Sequence, residues 1–323
     1  MEYRMLGKTE LKVSSIGFGC WSMGGGWGDF DEEGAIAAVH RALDSGINFF
    51  DTADIYGMGR SEEILAKALG TRRREVIVAT KVGLHMDSAG TIYRSGSRNH
   101  IMNAVEGSLK RLKTDYIDLY QVHWPDLNTP FEETMKAMEE LVKAGKVRYI
   151  GVSNFNVPQM KECMKWGRLS SLQPPYNMLM RDIEKDILPF CRRNGIGVVS
   201  YGTLAYGLLT GKYNAKTKFP PNDWRSGKLF KDPGEWQHHI NLFQGEAFKK
   251  NLRIVKGISA WAKKRDLSTT VVAIAWVLSK PVISSALVGA KNPSQVEENV
   301  RAVQVKLKPS DLKEIDMILK ETN

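Results

Sequence analysis

Cysteine is scarce in this chain. Cys20, Cys163 and Cys191 are the only three in 323 residues, too few and too scattered for a disulfide framework or a zinc site, so reduced thiols are expected. Long apolar runs are missing as well. No stretch of 18 or more uncharged apolar residues occurs, which excludes a membrane-spanning helix. The first ten residues, MEYRMLGKTE, are charged and carry no apolar signal core, so a cytoplasmic protein without a membrane partner is expected. No GxGxxG turn joins the first candidate strand to its helix, which removes the main support for a dinucleotide-binding doubly wound sheet. There is no GxSxG nucleophile elbow and no His/Asp/Glu set at metal-ligand spacing, so no metal is expected.

A cluster of one charge is also lacking. The net charge of +10 comes from basic residues spread along the chain among acids. The tightest group, Arg72-Arg73-Arg74, follows Gly70 at a helix end, where cations suit the local dipole. A solvated face explains it, and no nucleic-acid partner is expected.

What is present is a regular alternation. Short apolar runs at 15–19, 48–51, 76–81, 117–122, 149–153, 172–173, 197–201 and 283–287 read as strands. Amphipathic segments at 32–45, 61–69, 99–112, 131–144, 158–166, 183–193, 269–279 and 309–319 read as helices. Gly46, Gly70, Gly145 and Gly195 fall where helices should stop. Eight strands nearly all separated by helices imply a parallel sheet. In about 300 residues they fit an α/β fold of the closed (β/α)8 TIM-barrel type, one domain over residues 1–323. Residues 3–13 look like an N-terminal β-hairpin whose place is across the bottom of the barrel. The stretch 207–244, with Pro220, Pro221, Pro233, Trp224 and Trp236, reads as a long loop on the C-terminal face, a lid or binding loop.

Active sites of such barrels lie at the C-terminal strand ends. Read there, the runs close on Asp51 (FFD), Lys81 (VIVATK), His123 (LYQVH), Ser153-Asn154 (GVSN), Gln173 (SLQ) and Tyr201 (VVSY). Each alone has an ordinary structural explanation. Asp51 could cap a turn, Lys81 could be a solvated strand end, and His123 could be a satisfied structural histidine. Six polar closures on one face, with Tyr56 nearby in FFDTADIYG, make a site. Asp54 of the same stretch reads as loop structure. A phenol with a pKa of about 10 is a poor acid at neutral pH, but a cation beside it favours the phenolate, and a carboxylate fixes the cation. Asp51–Lys81–Tyr56 thus reads as a relay that lowers the tyrosine's pKa, with His123 orienting a substrate oxygen. A lysine at a strand end could equally form a Schiff base, and that reading stays open.

The motifs DTADIYG, ATKVG, QVHWPD, GVSNF, LQPPYN, YGTLAYGLLTGKY and LVGAKNPSQVEEN, in this order, resemble the aldo-keto reductases over almost the whole chain. The likeness is greatest to the bacterial general-reductase branch, which includes inositol-utilisation-type reductases and is related to potassium channel β subunits. The resemblance implies a catalytic tetrad of Asp51, Tyr56, Lys81 and His123, with Tyr56 as general acid in reduction and general base in oxidation. It implies that NADP(H) is the preferred cofactor, with NAD(H) possible. Ser153, Asn154 and Gln173 match the residues that hold the carboxamide, and Tyr201 matches the ring stacked on the nicotinamide. Leu204, Gly207, Gly211 and Lys212 match the pyrophosphate loop. Gly289, Lys291, Gln295, Glu298 and Asn299 match the adenosine end, with Lys291 placed for a 2′-phosphate. Trp21 and Trp124 match substrate-pocket positions beside Tyr56 and His123, and Trp224 and Trp236 could join them. Val288 and Met180 depart from the common pattern of proline and asparagine, away from the tetrad. The partner expected is a small-molecule carbonyl, polyol or sugar. A cofactor-binding, redox-sensing interaction module like the channel β subunits is the alternative. Neither the physiological substrate nor the oligomeric state is fixed by these motifs.

Overall fold

The computed structural model describes residues 1–87, 91–229 and 234–320. The chain opens with an antiparallel hairpin, β1 (Tyr3–Met5) and β2 (Lys12–Ser14). Eight parallel strands then close into a barrel: β3 (Ile16–Gly19), β4 (Phe49–Asp51), β5 (Ile77–Val82), β8 (Ile117–Val122), β9 (Val147–Ser153), β10 (Ser171–Gln173), β11 (Gly197–Ser200) and β12 (Ile283–Val288). Between β5 and β8 a second hairpin, β6 (Leu84–Met86) and β7 (Ile92–Arg94), stands at the mouth. The sequence reading assigned nothing there.

Helices α1 (Glu32–Asp44), α2 (Arg60–Leu69), α3 (Arg98–Leu112), α4 (Phe131–Lys143), α5 (Val157–Cys163) and α6 (Ile187–Asn194) follow successive barrel strands. The expected helix over 183–193 starts late, because Asp186 caps α6 by accepting from the Ile187 N–H at 2.7 Å. The long 207–244 segment is not featureless. It carries short 3-10 turns and the one-turn helix α7 (Gln237–Asn241), while Pro233 lies outside the described residues. After it comes α8 (Gly245–Lys263), which the sequence reading missed, although Phe248, Val255, Ile258 and Ala262 are buried at helical spacing. The chain ends through α9 (Thr269–Leu278), buried at every position, then α10 (Pro293–Val300) and α11 (Pro309–Lys320).

Side chains alternate across a strand, so inward positions lie two apart. Phe49, Ala79, Leu119, Val199 and Leu287 form an apolar layer with Leu6, Leu11 and Val13 of the first hairpin. The hairpin therefore closes the barrel bottom, as expected. Gly7 at its turn has φ of +57°, and a Cβ there would lie 2.5 Å from the Gly197 amide nitrogen, so only glycine fits. Two residues further along the same strands stand Asp51, Lys81, Gln121, Tyr201 and Gly289. The interior changes from apolar to polar within one step of the pleat.

Candidate active site

The turn after β4 brings Tyr56 back over the barrel mouth. Gly57 has φ of +61°, and a Cβ on it would sit 2.5 Å from the Gly24 oxygen, so this turn and the one after β3 press backbone to backbone. That contact sets the Tyr56 ring against Trp21, with centroids 6.2 Å apart, and against His123 at 5.7 Å.

Lys81 is fully buried below Tyr56. Its ammonium donates to Asp51 Oδ1 at 2.6 Å, to the Thr52 carbonyl at 2.8 Å and to the Tyr56 hydroxyl at 3.3 Å. Those three bonds use all its protons. The other oxygen of Asp51 accepts from Gln173 Nε2 at 2.7 Å and from Gln121 Nε2 at 3.2 Å. Gln121 is a member of the site that the sequence reading missed. Counting back two residues from His123 would have found it as the next inward side chain of an otherwise apolar run.

Tyr56 departs from the sequence expectation. Its hydroxyl pKa lies well above the ordinary phenol value rather than below it. Burial is the main cause, followed by the Asp51 carboxylate and then Cys20 and Asp54. The Lys81 cation is spent on Asp51 at 2.6 Å, so the pair offers the phenol little net positive charge. His123 is shifted well below its usual value, by burial first and by Lys81 second, so its imidazole is neutral at neutral pH. Asp54 is more than loop structure: its carboxyl is pushed up to about 8, mainly by burial and then by Glu62. One of its oxygens has no hydrogen-bond partner among the described residues.

Above this floor opens a cavity of about 1440 Å³, larger than the roughly 300–1,000 Å³ of an ordinary small-molecule site. Trp21, Asp51, Tyr56, His123 and Trp124 line it on one side. Ser153, Asn154, Gln173, Tyr201, Leu204, Gly207 and Lys212 continue around the wall, and Gly289, Lys291, Gln295, Glu298 and Asn299 complete it. Lys81 lies beneath the floor. Gly211 stands behind the wall, where it caps the turn Ala205–Thr210 with φ of +74°. Trp236 reaches the cavity, whereas Trp224 is fully buried behind Trp21, its ring stacked at 5.6 Å. Leu84, Met86, Ile92 and Arg94 of the β6–β7 hairpin also line it. The Arg94 guanidinium lies 4.8 Å over the Trp124 ring.

The wall opposite the tryptophans is a chain of amides and hydroxyls. Tyr201 donates to Asn154 Oδ1 at 2.9 Å, Asn154 Nδ2 donates to the His123 carbonyl at 3.0 Å, and Ser153 donates to the Gln173 carbonyl at 2.8 Å. Lys291 donates its ammonium to the Trp27 carbonyl at 2.8 Å, which ties the β12–α10 loop to the segment after β3. Asn292 caps α10 by accepting from the Gln295 N–H at 3.1 Å. The buried Thr203 and Thr270 hydroxyls on the wall have no partner among the described residues. A large cavity with a flat aromatic edge, unpartnered hydroxyls, two lysines and a helix start fits a sizeable anionic ligand with a planar part.

Residues 15–320 match the Aldo/keto reductase family. Aldo-keto reductase YhdN of Bacillus subtilis (strain 168) is 41% identical over 326 residues, covering 100% of this chain and 95% of that protein. A probable voltage-gated potassium channel subunit beta of Arabidopsis thaliana is 36% identical, covering 99% and 97%. The NADH-specific methylglyoxal reductase of Escherichia coli (strain K12) is 35% identical, covering 95% and 94%. Among solved structures, the glycerol dehydrogenase AKR11B4 from Gluconobacter oxydans superposes with a TM-score of 0.87 at 37% identity, covering 99% of this chain and 95% of that one.

Proposed function

The chain belongs to the aldo/keto reductase family, and on that premise we propose that it reduces an aldehyde, ketone or sugar-type carbonyl with NADPH. When bound, the reduced nicotinamide supplies the hydride, and the protein supplies position and a proton. The observation that carries this reading is the chain Asp51–Lys81–Tyr56, at 2.6 and 3.3 Å, beside a neutral His123 on the floor of a large cavity.

Tyr56 keeps its proton at neutral pH and stands where a substrate oxygen gaining negative charge would take it. His123 touches the same oxygen as an uncharged hydrogen-bonding partner. The Lys81 N–H that faces Tyr56 then donates a hydrogen bond to the phenolate left behind, and Asp51 holds that ammonium in place. This order favours reduction at neutral pH, while oxidation, which needs the phenolate, gains only in alkali. Asn154, Ser153 and Gln173 present the polar atoms that would seat a carboxamide, and Tyr201 presents the flat ring beside it. Gly207, Leu204 and Lys212 would face the pyrophosphate. Gly289, Gln295, Glu298 and Asn299 would take the adenosine, with Lys291 at a 2′-phosphate. Trp21 and Trp124 would flank the substrate.

The Schiff-base reading loses ground, because Lys81 is enclosed and donates three hydrogen bonds. An interaction module like the β subunits is favoured by one observation, the 36% identity to a probable channel subunit. Co-purification with a membrane partner at fixed stoichiometry would support it. A panel of aldehydes, ketones and sugars, with NADPH and NADH side by side, tests the reductase. NADPH consumption exceeding that of NADH is expected, and consumption of neither overturns the proposal.

A further inference from the structure

Gln121 is fully buried and does not reach the cavity. Its register partner on β5 is Lys81. Its amide nitrogen donates to Asp51 Oδ2 at 3.2 Å, and its amide oxygen accepts from Gln173 Nε2 at 3.4 Å. Gln173 Nε2 also donates to Asp51 Oδ2, at 2.7 Å. A carboxylate can only accept, so both glutamines must turn their nitrogens toward Asp51, which fixes the orientation of both amides. The Gln173 nitrogen is then committed to Asp51 and Gln121. What Gln173 offers to the cavity it lines is its oxygen, an acceptor.

We propose that Gln121 is a positioning residue: it holds the second oxygen of Asp51 and, beside Asp51, the second N–H of the Gln173 amide, so that the proton relay and the seat for a carboxamide ring share one hydrogen-bonded network. This inference rests on the reductase reading of the site. An acceptor at Gln173 recognises the N–H of a primary carboxamide and opposes a ketone oxygen in the same place. Removing Gln121 leaves the Gln173 amide oriented by Asp51 alone, with its second N–H unpartnered, so the acceptor still faces the cavity but is held less firmly. It also takes a donor from a buried carboxylate, where hydrogen bonds to the charged form matter most.

Two variants test it, with binding measured apart from turnover. Tryptophan fluorescence, from Trp21, Trp27, Trp124 and Trp236 around the cavity, reports binding of NADP+ and of its 3-acetylpyridine analogue, whose acetyl group has no N–H. In the wild type the analogue should bind about tenfold more weakly, and in Gln121→Leu, where Asp51 still orients Gln173 but the second Gln173 N–H is unpartnered, the gap should narrow to about fivefold. An unchanged gap overturns the proposal. Gln121→Glu keeps the shape but sets a carboxyl against Asp51, and two such groups share one proton. Its carbonyl-reduction rate relative to wild type should rise as pH falls from about 8 to about 5, when the shared proton restores the missing donor. A ratio flat in pH marks a merely structural residue and overturns the proposal. If the wild type binds NADP+ yet reduces no carbonyl, the reductase reading fails, and the binding gap still decides the role of Gln121.

Discussion

The two ends of the barrel interior are built by the same strands and obey opposite chemistry. At the bottom, Leu6, Leu11 and Val13 of the hairpin meet Phe49, Ala79 and Leu119, with nothing to ionise. One pleat above, Asp51, Lys81 and Gln121 are just as buried and consist almost wholly of charge and hydrogen bonds. The lower layer gains stability from area removed from water, and its members are interchangeable in kind. The upper layer is stable only as a set, because each charge depends on a partner. The difference places the cost of folding at the end where the chemistry is proposed.

Substitutions in the two layers should therefore differ in kind. Lys81→Met nearly conserves volume yet leaves Asp51 buried without a cation, so a stability loss of about 3–5 kcal/mol is expected together with lost reductase activity. Leu6→Ala should cost about 2–5 kcal/mol through its cavity and leave kcat of the folded fraction near wild type. Denaturant unfolding with kinetics on the same samples checks both. A Lys81→Met protein that is as stable as wild type would erase the contrast.

Two smaller effects sharpen it at the rim. Lys291→Ala should shift the ratio of NADPH to NADH efficiency toward NADH by about tenfold, the scale of one charge-assisted bond. Side-by-side kcat/KM values would show it. Asp54→Asn probes a carboxyl outside the relay. Its folded pKa of about 8 lies above the unfolded value, so the wild type loses stability as pH rises from about 4 to about 8. The melting temperature of Asp54→Asn relative to wild type should rise across that window and then level. A difference that stays constant with pH would remove Asp54 from the account.

The barrel was legible because alternation and strand-end polarity are local. The strands fell within a residue or two of their expected places, and the hairpin closed the bottom. Helix α8 carries its period through a lysine-rich stretch, where charged positions dilute the apolar stripe. The β6–β7 hairpin has strands of three residues each, too short for a period to show. Gln121 is not legible from strand-end polarity, because it lies one inward position below the His123 end of its strand. The direction of the Tyr56 shift was not legible, because it comes first from burial of the phenol and then from the Asp51 carboxylate, and the depth of one side chain in a folded mouth is encoded by no spacing.

The same geometry moves the expected pH dependence. With the Tyr56 hydroxyl held well above its usual value, reduction should stay level through neutral pH and fall only in alkali above about pH 10. The most direct test of the account is Tyr56→Phe, assayed for carbonyl reduction while cofactor binding is followed by fluorescence on the same protein. The account predicts unchanged binding and a rate lower by about 100- to 10,000-fold, the loss of a general acid. A Tyr56→Phe enzyme that reduces carbonyls at the wild-type rate would contradict it.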